Sequence, residues 1–180
     1  MIVQNTDVQA FARLFKRAQS KGIYVIQLGM ASVVQTEGFI GPDWTELGER
    51  MASAAVSACG KDSGKSGKIA LIQGAVTSAN GIYTTQGIEA TLKDYPEIEI
   101  VANQGSDWDP SKAHAIATTT LQQHPDLCAF LGYWEDEDQG IVAALSEAGK
   151  ADDVTLITSG IGEQKSCGQV RDGSFDLYLK

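Results

Sequence analysis

Aromatic rings and carboxylates occur side by side at two places that directly follow apolar segments of this chain. Asp107-Trp108-Asp109 follows one such segment, and Tyr133-Trp134-Glu135 follows another. Aromatic faces beside carboxylates and amides suit a small polyhydroxylated ligand, because the rings cover its C–H face while the oxygens satisfy its hydroxyls. These segments therefore indicate a binding site, against the alternative that the rings are ordinary aromatics packed at the edge of a sheet.

Side chains suited to catalysis are few. His114 lies inside a predicted helix, and His124 precedes Pro125 at a helix end, so that both are interpreted as surface residues. No serine stands in the G-x-S-x-G setting of a hydrolase nucleophile. We predict that the chain has no catalytic residue, requires no cofactor and is not an enzyme.

Four consecutive carboxylates run from Glu135 to Asp138. We interpret them as a negatively charged first helical turn, which is favourable next to the positive end of a helix dipole. A metal site would need further ligands at fixed spacing, and the sequence offers none. The sequence therefore predicts no metal site.

Two glycine-containing segments resemble phosphate-binding loops without meeting their requirements. Gly60–Ser66 has only three residues between its glycines and precedes a strand, whereas a P-loop has four and follows one. Gly160-Ile161-Gly162 follows a strand but has Lys165 where a dinucleotide fold needs its third glycine. We interpret the first as a solvated linker and the second as a plain strand-to-helix turn.

The chain has three cysteines, without metal-ligand spacing. Cys128 lies in an apolar run and is interpreted as a small core residue. Cys59 and Cys167 lie in polar surroundings and could pair in an oxidising compartment, although the sequence does not show that they meet.

The composition is that of an acidic globular protein. The net charge is -9, 43% of the residues are hydrophobic and 21% are charged. An acidic chain without a Lys/Arg stripe lacks the phosphate-neutralising charge on which nucleic-acid binding depends, and it is poorly suited to anionic membrane surfaces. No nucleic-acid partner is therefore predicted.

Strand-like and helix-like segments alternate along the chain and must position these residues. Strands are predicted near residues 69–73, 98–103, 128–133, 154–159 and 174–179, with helices between them. This spacing predicts an α/β fold with a doubly wound parallel sheet. Ligands of such sheets bind beyond the carboxyl ends of the strands. The segment Gln73–Asn80 lies at one of these ends.

We predict three regions. Residues 1–43 form a remnant of a first lobe, residues 44–67 a crossover helix and linker, and residues 68–180 one complete lobe. Within the remnant, a helix is predicted from Asp7 and a strand from Ile23 to Leu28. Residues 31–43 are predicted to be irregular, with Phe39 and Ile40 extended.

Several loose motifs stand in a specific order and spacing. They are Lys21–Ile26, Phe39–Asp43 with Gly48, Lys68–Gly74 with Gln86–Ile88, Ser106–Asp109 with Lys112, His124–Leu127, Ala144–Gly149 and Val170–Gly173. Together they resemble the sugar-type, or type I, periplasmic solute-binding proteins of the ribose-binding family. The resemblance covers essentially the whole chain and implies two lobes with one ligand in the cleft between them.

The resemblance also implies binding positions, and several of them depart from the family pattern. Only Trp108 keeps the family's aromatic type. Thr84 stands where relatives often place Arg, Trp134-Glu135 where they place Asn-Asp, and Gly29 and Ser159 where they place a ligand-binding Asp. The ligand could therefore be a larger sugar, a polyol or a less polar molecule. The complete set of predicted ligand-binding residues is Gly29, Asp43, Thr84, Asp107, Trp108, Tyr133, Trp134, Glu135 and Ser159.

The resemblance implies the substrate-binding component of an ABC importer, which closes about a hinge on a sugar-like molecule and delivers it to a membrane permease. The first alternative is the effector domain of a lac-repressor-type regulator, which shares the fold. The second is an enzyme of the doubly wound class, which would need a nucleophile, an acid–base pair or a phosphate loop.

Family members carry more of the first lobe before the counterpart of Ile2 and continue after Lys180. We therefore expect that Met1 is not the biological start, that a signal peptide for export to the periplasm lies upstream, and that this chain alone binds its ligand weakly. We expect an oligomer only if another copy of the chain covers the apolar face that the missing part of the first lobe would otherwise cover.

Overall fold

Strands and helices alternate along most of the chain in the computed structural model, which describes residues 1–180. The strands are β1 (Ile2–Val3), β2 (Ile26–Leu28), β3 (Gly38–Ile40), β4 (Lys68–Gln73), β5 (Glu99–Gly105), β6 (Ala129–Gly132), β7 (Thr155–Ser159) and β8 (Leu177–Leu179). The helices are α1 (Ala12–Gln19), α2 (Trp44–Cys59), α3 (Ala79–Leu92), α4 (Pro110–Gln123), α5 (Gln139–Glu147) and α6 (Gln164–Asp172). None of these helices combines the length and apolar character that crossing a membrane requires.

The larger sheet contains five parallel strands in the order β5-β4-β6-β7-β8. Successive residues of β4 point to opposite faces: Ile69 and Leu71 join one apolar core, and Ala70 and Ile72 join another. Helices α2 and α3 cover the first face, and α4 and α5 the second. The prediction of a doubly wound parallel sheet is confirmed, and the closing strand β8 is also parallel.

The smaller sheet has the parallel order β1-β2-β3 and packs on α1 through Phe15, Val25 and Val34. Helix α1 begins at Ala12 and not at the predicted Asp7. The Asp7 carboxylate accepts hydrogen bonds from the backbone N–H groups of Gln9 and Ala10, which closes a separate turn. Phe39 and Ile40, predicted only to be extended, belong to the strand β3.

Helix α2, predicted as a crossover segment, packs on the larger sheet. Asp43 caps its start by accepting from the N–H groups of Thr45 and Glu46, each at 3.0 Å. Its buried residues Met51, Ala52, Ala55 and Cys59 belong to the same core as Ile69 and Leu71 of β4. The helix thus connects the loop before it, which carries Pro42 and Asp43, to the core of the larger sheet.

Cys59 and Cys128 form a disulfide between the end of α2 and the residue before β6, with their Cα atoms 5.9 Å apart. Cys128 lies in the core, as predicted from its apolar surroundings. The pairing of Cys59 with Cys167, which the sequence left open, does not occur. The end of α2 lies in the core against the start of β6, whereas Cys167 is a free, exposed residue on α6.

Helices α2 and α3 cross so closely that glycines face the backbone of the opposite helix. A Cβ atom on Gly87 would lie 2.1 Å from the carbonyl oxygen of Thr45, and one on Gly48 would lie 2.1 Å from that of Thr84. We expect Gly87→Ala to lower the free energy of unfolding by about 1–3 kcal/mol in urea denaturation, because the helices must move apart.

The matched control is Gly168→Ala, since an added Cβ on α6 meets no atom within 4 Å. This change should leave stability unaltered or raise it by up to about 1 kcal/mol through helix propensity. Equal unfolding energies for the two variants would contradict the proposed close crossing.

Candidate functional site

A cavity of about 890 Å³ lies between the carboxyl ends of the larger sheet and the loops of the smaller one. The smaller sheet and the loops beside it contribute Gln4, Thr6, Gly29 and Met30. The start of α2 contributes Pro42, Asp43, Trp44, Glu46, Leu47 and Arg50. The side of the larger sheet contributes Ser78, Asn80, Trp108, Tyr133, Trp134, Ser159, Gly160, Ile161, Leu179 and Lys180. The volume lies within the range of small-molecule sites.

Two tryptophans form the aromatic wall of this cavity. The rings of Trp108 and Trp134 meet edge to face, with centroids 5.9 Å apart and planes at 78°. Trp108 packs directly on Gly74, where a Cβ atom would lie 2.2 Å from the indole. Because Gly74 has no side chain, the indole can lie flat against the backbone at the end of β4.

The loop that carries Trp108 holds two successive residues in the left-handed backbone region, with φ of 56° at Asp107 and 64° at Trp108. Such residues persist only where the surroundings fix them, and they cluster at functional sites. Here the Asp107 carboxylate pairs with Lys112 at 2.7 Å, and Asp109 accepts from the N–H of Ser111 at 2.8 Å to cap α4. These contacts hold the indole towards the cavity.

The opposite wall is fixed by a hydrogen bond from the indole N–H of Trp44 to the carbonyl oxygen of Gly29, 2.9 Å long. Gly29 has a φ of 70°, which a residue with a side chain rarely adopts. The third tryptophan therefore joins the smaller sheet to the start of α2 at the edge of the cavity.

Six of the nine predicted ligand-binding residues line the cavity. They are Gly29, Asp43, Trp108, Tyr133, Trp134 and Ser159. Two of these residues already form hydrogen bonds within the protein. The Ser159 hydroxyl donates to the carbonyl oxygen of Tyr133 at 2.8 Å, and the Tyr133 hydroxyl lies 2.9 Å from the hydroxyl of Thr85. Burial raises the pKa of Tyr133 far above its usual value, so that the phenol stays neutral.

The other three predicted residues lie outside the cavity lining. Thr84 is fully buried where α3 crosses α2, and Asp107 turns outwards to its lysine partner. Glu135 is buried behind the wall, where it accepts from the N–H of Ile161 at 3.1 Å and from the Ser166 hydroxyl. This carboxylate fixes the loop of Gly160 and Ile161, which does line the cavity.

The four-carboxylate run is not the solvated first helical turn that the sequence indicated. Glu135, Glu137 and Asp138 are buried, and α5 begins only at Gln139. Asp138 turns inwards to accept from the Thr158 hydroxyl on β7, and its carboxylate lies where a side chain on Gly132 would stand. The small residue on β6 thus leaves room for an acid inside the fold.

The surroundings of Glu137 and Asp138 raise the pKa of both carboxyl groups and so favour their protonated forms. Neither carboxylate oxygen of Glu137, nor Oδ1 of Asp138, makes a hydrogen bond. Burial raises the pKa of Glu137 to about 8, and the nearby Ser106 hydroxyl offsets this only in part. Burial, followed by the charge of Glu137, also raises the pKa of Asp138 well above its usual value. No group of three or more His, Cys, Asp or Glu residues is arranged to hold a metal ion.

Sequence reasoning missed several polar residues of the lining, which are Gln4, Thr6, Glu46, Arg50, Ser78, Asn80 and Lys180. Asn80 lies in the first turn of α3, is only 3% exposed, and its side-chain oxygen makes no hydrogen bond. The available signal was its position in the polar segment Gln73–Asn80 after β4, which was predicted to lie at the ligand-binding edge. Nothing in that segment distinguished Asn80 from its neighbours.

Comparison with known proteins agrees with this architecture. A family model described as "Periplasmic binding protein domain" matches residues 1–179. The chain is 30% identical over 158 residues to the D-allose-binding periplasmic protein of Escherichia coli, and this match covers 83% of this chain and 50% of that protein. It is 27% identical over 164 residues to the D-ribose/D-allose-binding protein of Pseudomonas aeruginosa, covering 87% of this chain and 50% of that protein.

Among solved structures, the chain is similar to an ABC transporter solute-binding protein from Agrobacterium vitis with bound D-fucose. The TM-score is 0.87 at 23% identity, over 98% of this chain and 61% of that one. At this identity the likeness shows the fold alone. The chain spans about half the length of the curated relatives that it matches.

Proposed function

Because this chain belongs to the type I periplasmic solute-binding proteins of the ribose-binding family, we propose that it binds a neutral sugar as part of an ABC importer. The observation that carries the proposal is the edge-to-face pair of Trp108 and Trp134, which lines a cavity at the carboxyl edge of a parallel sheet. Aromatic rings cover the apolar C–H face of a sugar, and a pair of rings at an angle covers two of its sides.

A neutral ligand is favoured because the charges contributed by the start of α2 are already engaged. Arg50 pairs with Glu46 at 2.6 Å, and one oxygen of Asp43 accepts two backbone N–H groups. A charged ligand that paired with Arg50 or Glu46 would have to displace the present partner, whereas a neutral ligand leaves the pair intact. The names of the relatives, which include D-allose-, D-ribose- and D-apiose-binding proteins, support a sugar.

The Cys59–Cys128 disulfide supports export of the chain to the periplasm. Disulfides persist in oxidising compartments and are rare in the reducing cytoplasm, where a lac-repressor-type regulator works. The same bond therefore favours a transport receptor over the regulatory alternative. In this proposal the bound sugar passes to a membrane permease after hinge closure, a motion known for this class of protein.

Fluorescence titration tests the proposal, because all three tryptophans line the cavity. We expect a saturable change in tryptophan emission with at least one of D-allose, D-ribose and D-fucose, and none with the acidic sugar D-glucuronate. The absence of a saturable response to any neutral sugar up to millimolar concentration would contradict sugar binding. A preference for D-glucuronate would contradict the neutral site.

Replacing Trp108 should weaken binding of the responding sugar. We expect Trp108→Ala to lose about 1–3 kcal/mol of binding free energy in calorimetry, because the ring no longer covers the sugar. Trp108→Phe keeps an aromatic face and should lose less. An unchanged affinity in the alanine variant would mean that the indole is structural.

A further inference from the structure

Glu137 lies behind the aromatic wall of the cavity, between the two loops that carry the tryptophans. It follows Trp134 in the loop between β6 and α5. Its carboxyl group lies close to the hydroxyl of Ser106, at the start of the loop that carries Trp108. Glu137 and Ser106 are both fully buried. We infer that neutral Glu137 positions the two indoles for the sugar, so that sugar binding weakens when Glu137 ionises, an inference that rests on the proposed function.

Backbone hydrogen bonds tie each of these loops to the end of a neighbouring strand. The N–H of Ser106 donates to the carbonyl oxygen of Gln73 at 2.7 Å, and the N–H of Glu135 donates to that of Ser159 at 2.8 Å. These bonds do not join one loop to the other. The loops meet where the carboxyl group of Glu137 approaches Ser106 and where the two indoles touch edge to face. The carboxyl group is therefore placed to act on both halves of the aromatic wall.

The surroundings of Glu137 suit a carboxylic acid and not a carboxylate. Neither of its oxygens makes a hydrogen bond, and no basic side chain acts on it. Asp138, next in the chain, is also fully buried and repels a negative charge on Glu137. A buried charge without a partner is costly, and it is relieved when the loop opens and water reaches it. That opening separates Glu137 from Ser106 and displaces Trp134.

The other titratable groups near Glu137 are engaged or remain neutral. Tyr133, at the end of β6, is acted on by Glu137 and by Glu89 of α3, but burial keeps its phenol neutral. Glu135 is hydrogen-bonded to α6, and Asp138 accepts from a hydroxyl on β7. The charged groups next to the second loop are paired at the surface, and they are Asp107 with Lys112 and His114 with Glu147. Asp138 is thus the neighbour whose ionisation acts in the same direction, and the test separates it from Glu137.

The affinity for sugar should fall as the pH rises through the pKa of Glu137, which burial raises to about 8. The sugar is whichever of D-allose, D-ribose and D-fucose gives a saturable response with the wild type. We expect its dissociation constant in calorimetry to stay level from about pH 5 to about pH 7 and to rise about tenfold from there to about pH 9. Circular dichroism at each pH restricts the comparison to folded protein. A dissociation constant that stays level up to about pH 9 would overturn the inference.

Proton uptake gives a second measurement that requires no variant. If the sugar-bound protein holds Glu137 neutral, binding must return a proton to the molecules that have lost it. Calorimetry in buffers of different ionisation enthalpy should show an uptake of about half a proton per sugar at about pH 8 and almost none at about pH 6. Binding without proton uptake at about pH 8 would contradict the positioning role.

Variants identify the group that titrates. Glu137→Gln keeps the shape of the neutral acid, and it should bind the sugar as the wild type does at about pH 6, with no loss at higher pH and no proton uptake. Glu137→Met, similar in length and uncharged, should also lose the pH dependence, and it serves if the glutamine variant does not fold. Asp136→Asn, the matched control in the same loop, is only half-buried and should keep the wild-type pH dependence.

The outcomes separate the inference from the proposed function. A pH dependence that survives in Glu137→Gln, or that only Asp138→Asn abolishes, would overturn the role of Glu137. If the wild type binds a sugar with the same affinity at every pH, the inference fails while the proposed function stands. If the wild type binds none of the sugars, the proposed function fails and the inference with it.

Discussion

Raising the pH from about 4.5 to about 8 should steadily destabilise this protein, and Glu137→Gln should remove the part of that loss that Glu137 contributes. Burial raises the pKa of Glu137 from 4.5 to about 8, so that over this interval the folded protein keeps a proton that the unfolded chain releases. The stabilisation that this proton provides is fully present below the pKa that Glu137 has in the unfolded chain. It is lost as the pH rises through the pKa that Glu137 has in the folded protein. The slope is about 1.4 kcal/mol per pH unit, or roughly 4–5 kcal/mol in total.

Urea denaturation at several pH values measures this effect. The matched control is Asp136→Asn, in the same run of acids but only half-buried, which should keep the wild-type slope. Asp138 acts in the same direction, because burial raises its pKa as well, and Asp138→Asn should add to the effect of Glu137→Gln. A Glu137→Gln variant with the wild-type pH dependence would show that this carboxyl is not protonated in the folded protein.

Reduction of the Cys59–Cys128 bond should lower the free energy of unfolding by about 4 kcal/mol, because the bond closes a long loop in the unfolded chain. The two cysteines are 69 residues apart in sequence, which makes the entropy lost by the cross-linked unfolded state large. The bond also fastens the end of α2, the helix whose start lines the cavity, to the strand that leads to Trp134.

Denaturation with and without dithiothreitol, and of a Cys59→Ala/Cys128→Ala double variant, measures the contribution of the disulfide. Cys167→Ser is the control and should unfold as the wild type does, since Cys167 is exposed and unbonded. Identical unfolding curves for the oxidised and reduced protein would contradict a stabilising disulfide and would weaken the argument for export.

The larger sheet was predictable because its strands carry local signals. Buried parallel strands appear as continuous apolar runs, and the helices between them begin with recognisable caps, as at Asp109 and Pro110. Helix α5 was predicted to begin three residues too early. The run from Glu135 to Asp138 has the composition of an exposed first turn, and only the packing against β7 shows that its acids turn inwards.

The site was predictable where topology alone decides position. Trp108 and Trp134 follow parallel strands, whose carboxyl ends meet at one edge of the sheet, and they do line one cavity. The partner of Cys59 could not be found in this way, because it depends on how α2 packs against β6. Asn80 was missed for a related reason, since its lack of a partner is a property of the folded environment.

A crystal structure of this chain with the sugar that saturates its tryptophan fluorescence tests the central claim most directly. We predict that the sugar lies in the cavity between the loops of the smaller sheet and the rings of Trp108 and Trp134. A sugar bound elsewhere on the chain, with this cavity empty and both indoles uncontacted, would contradict the account.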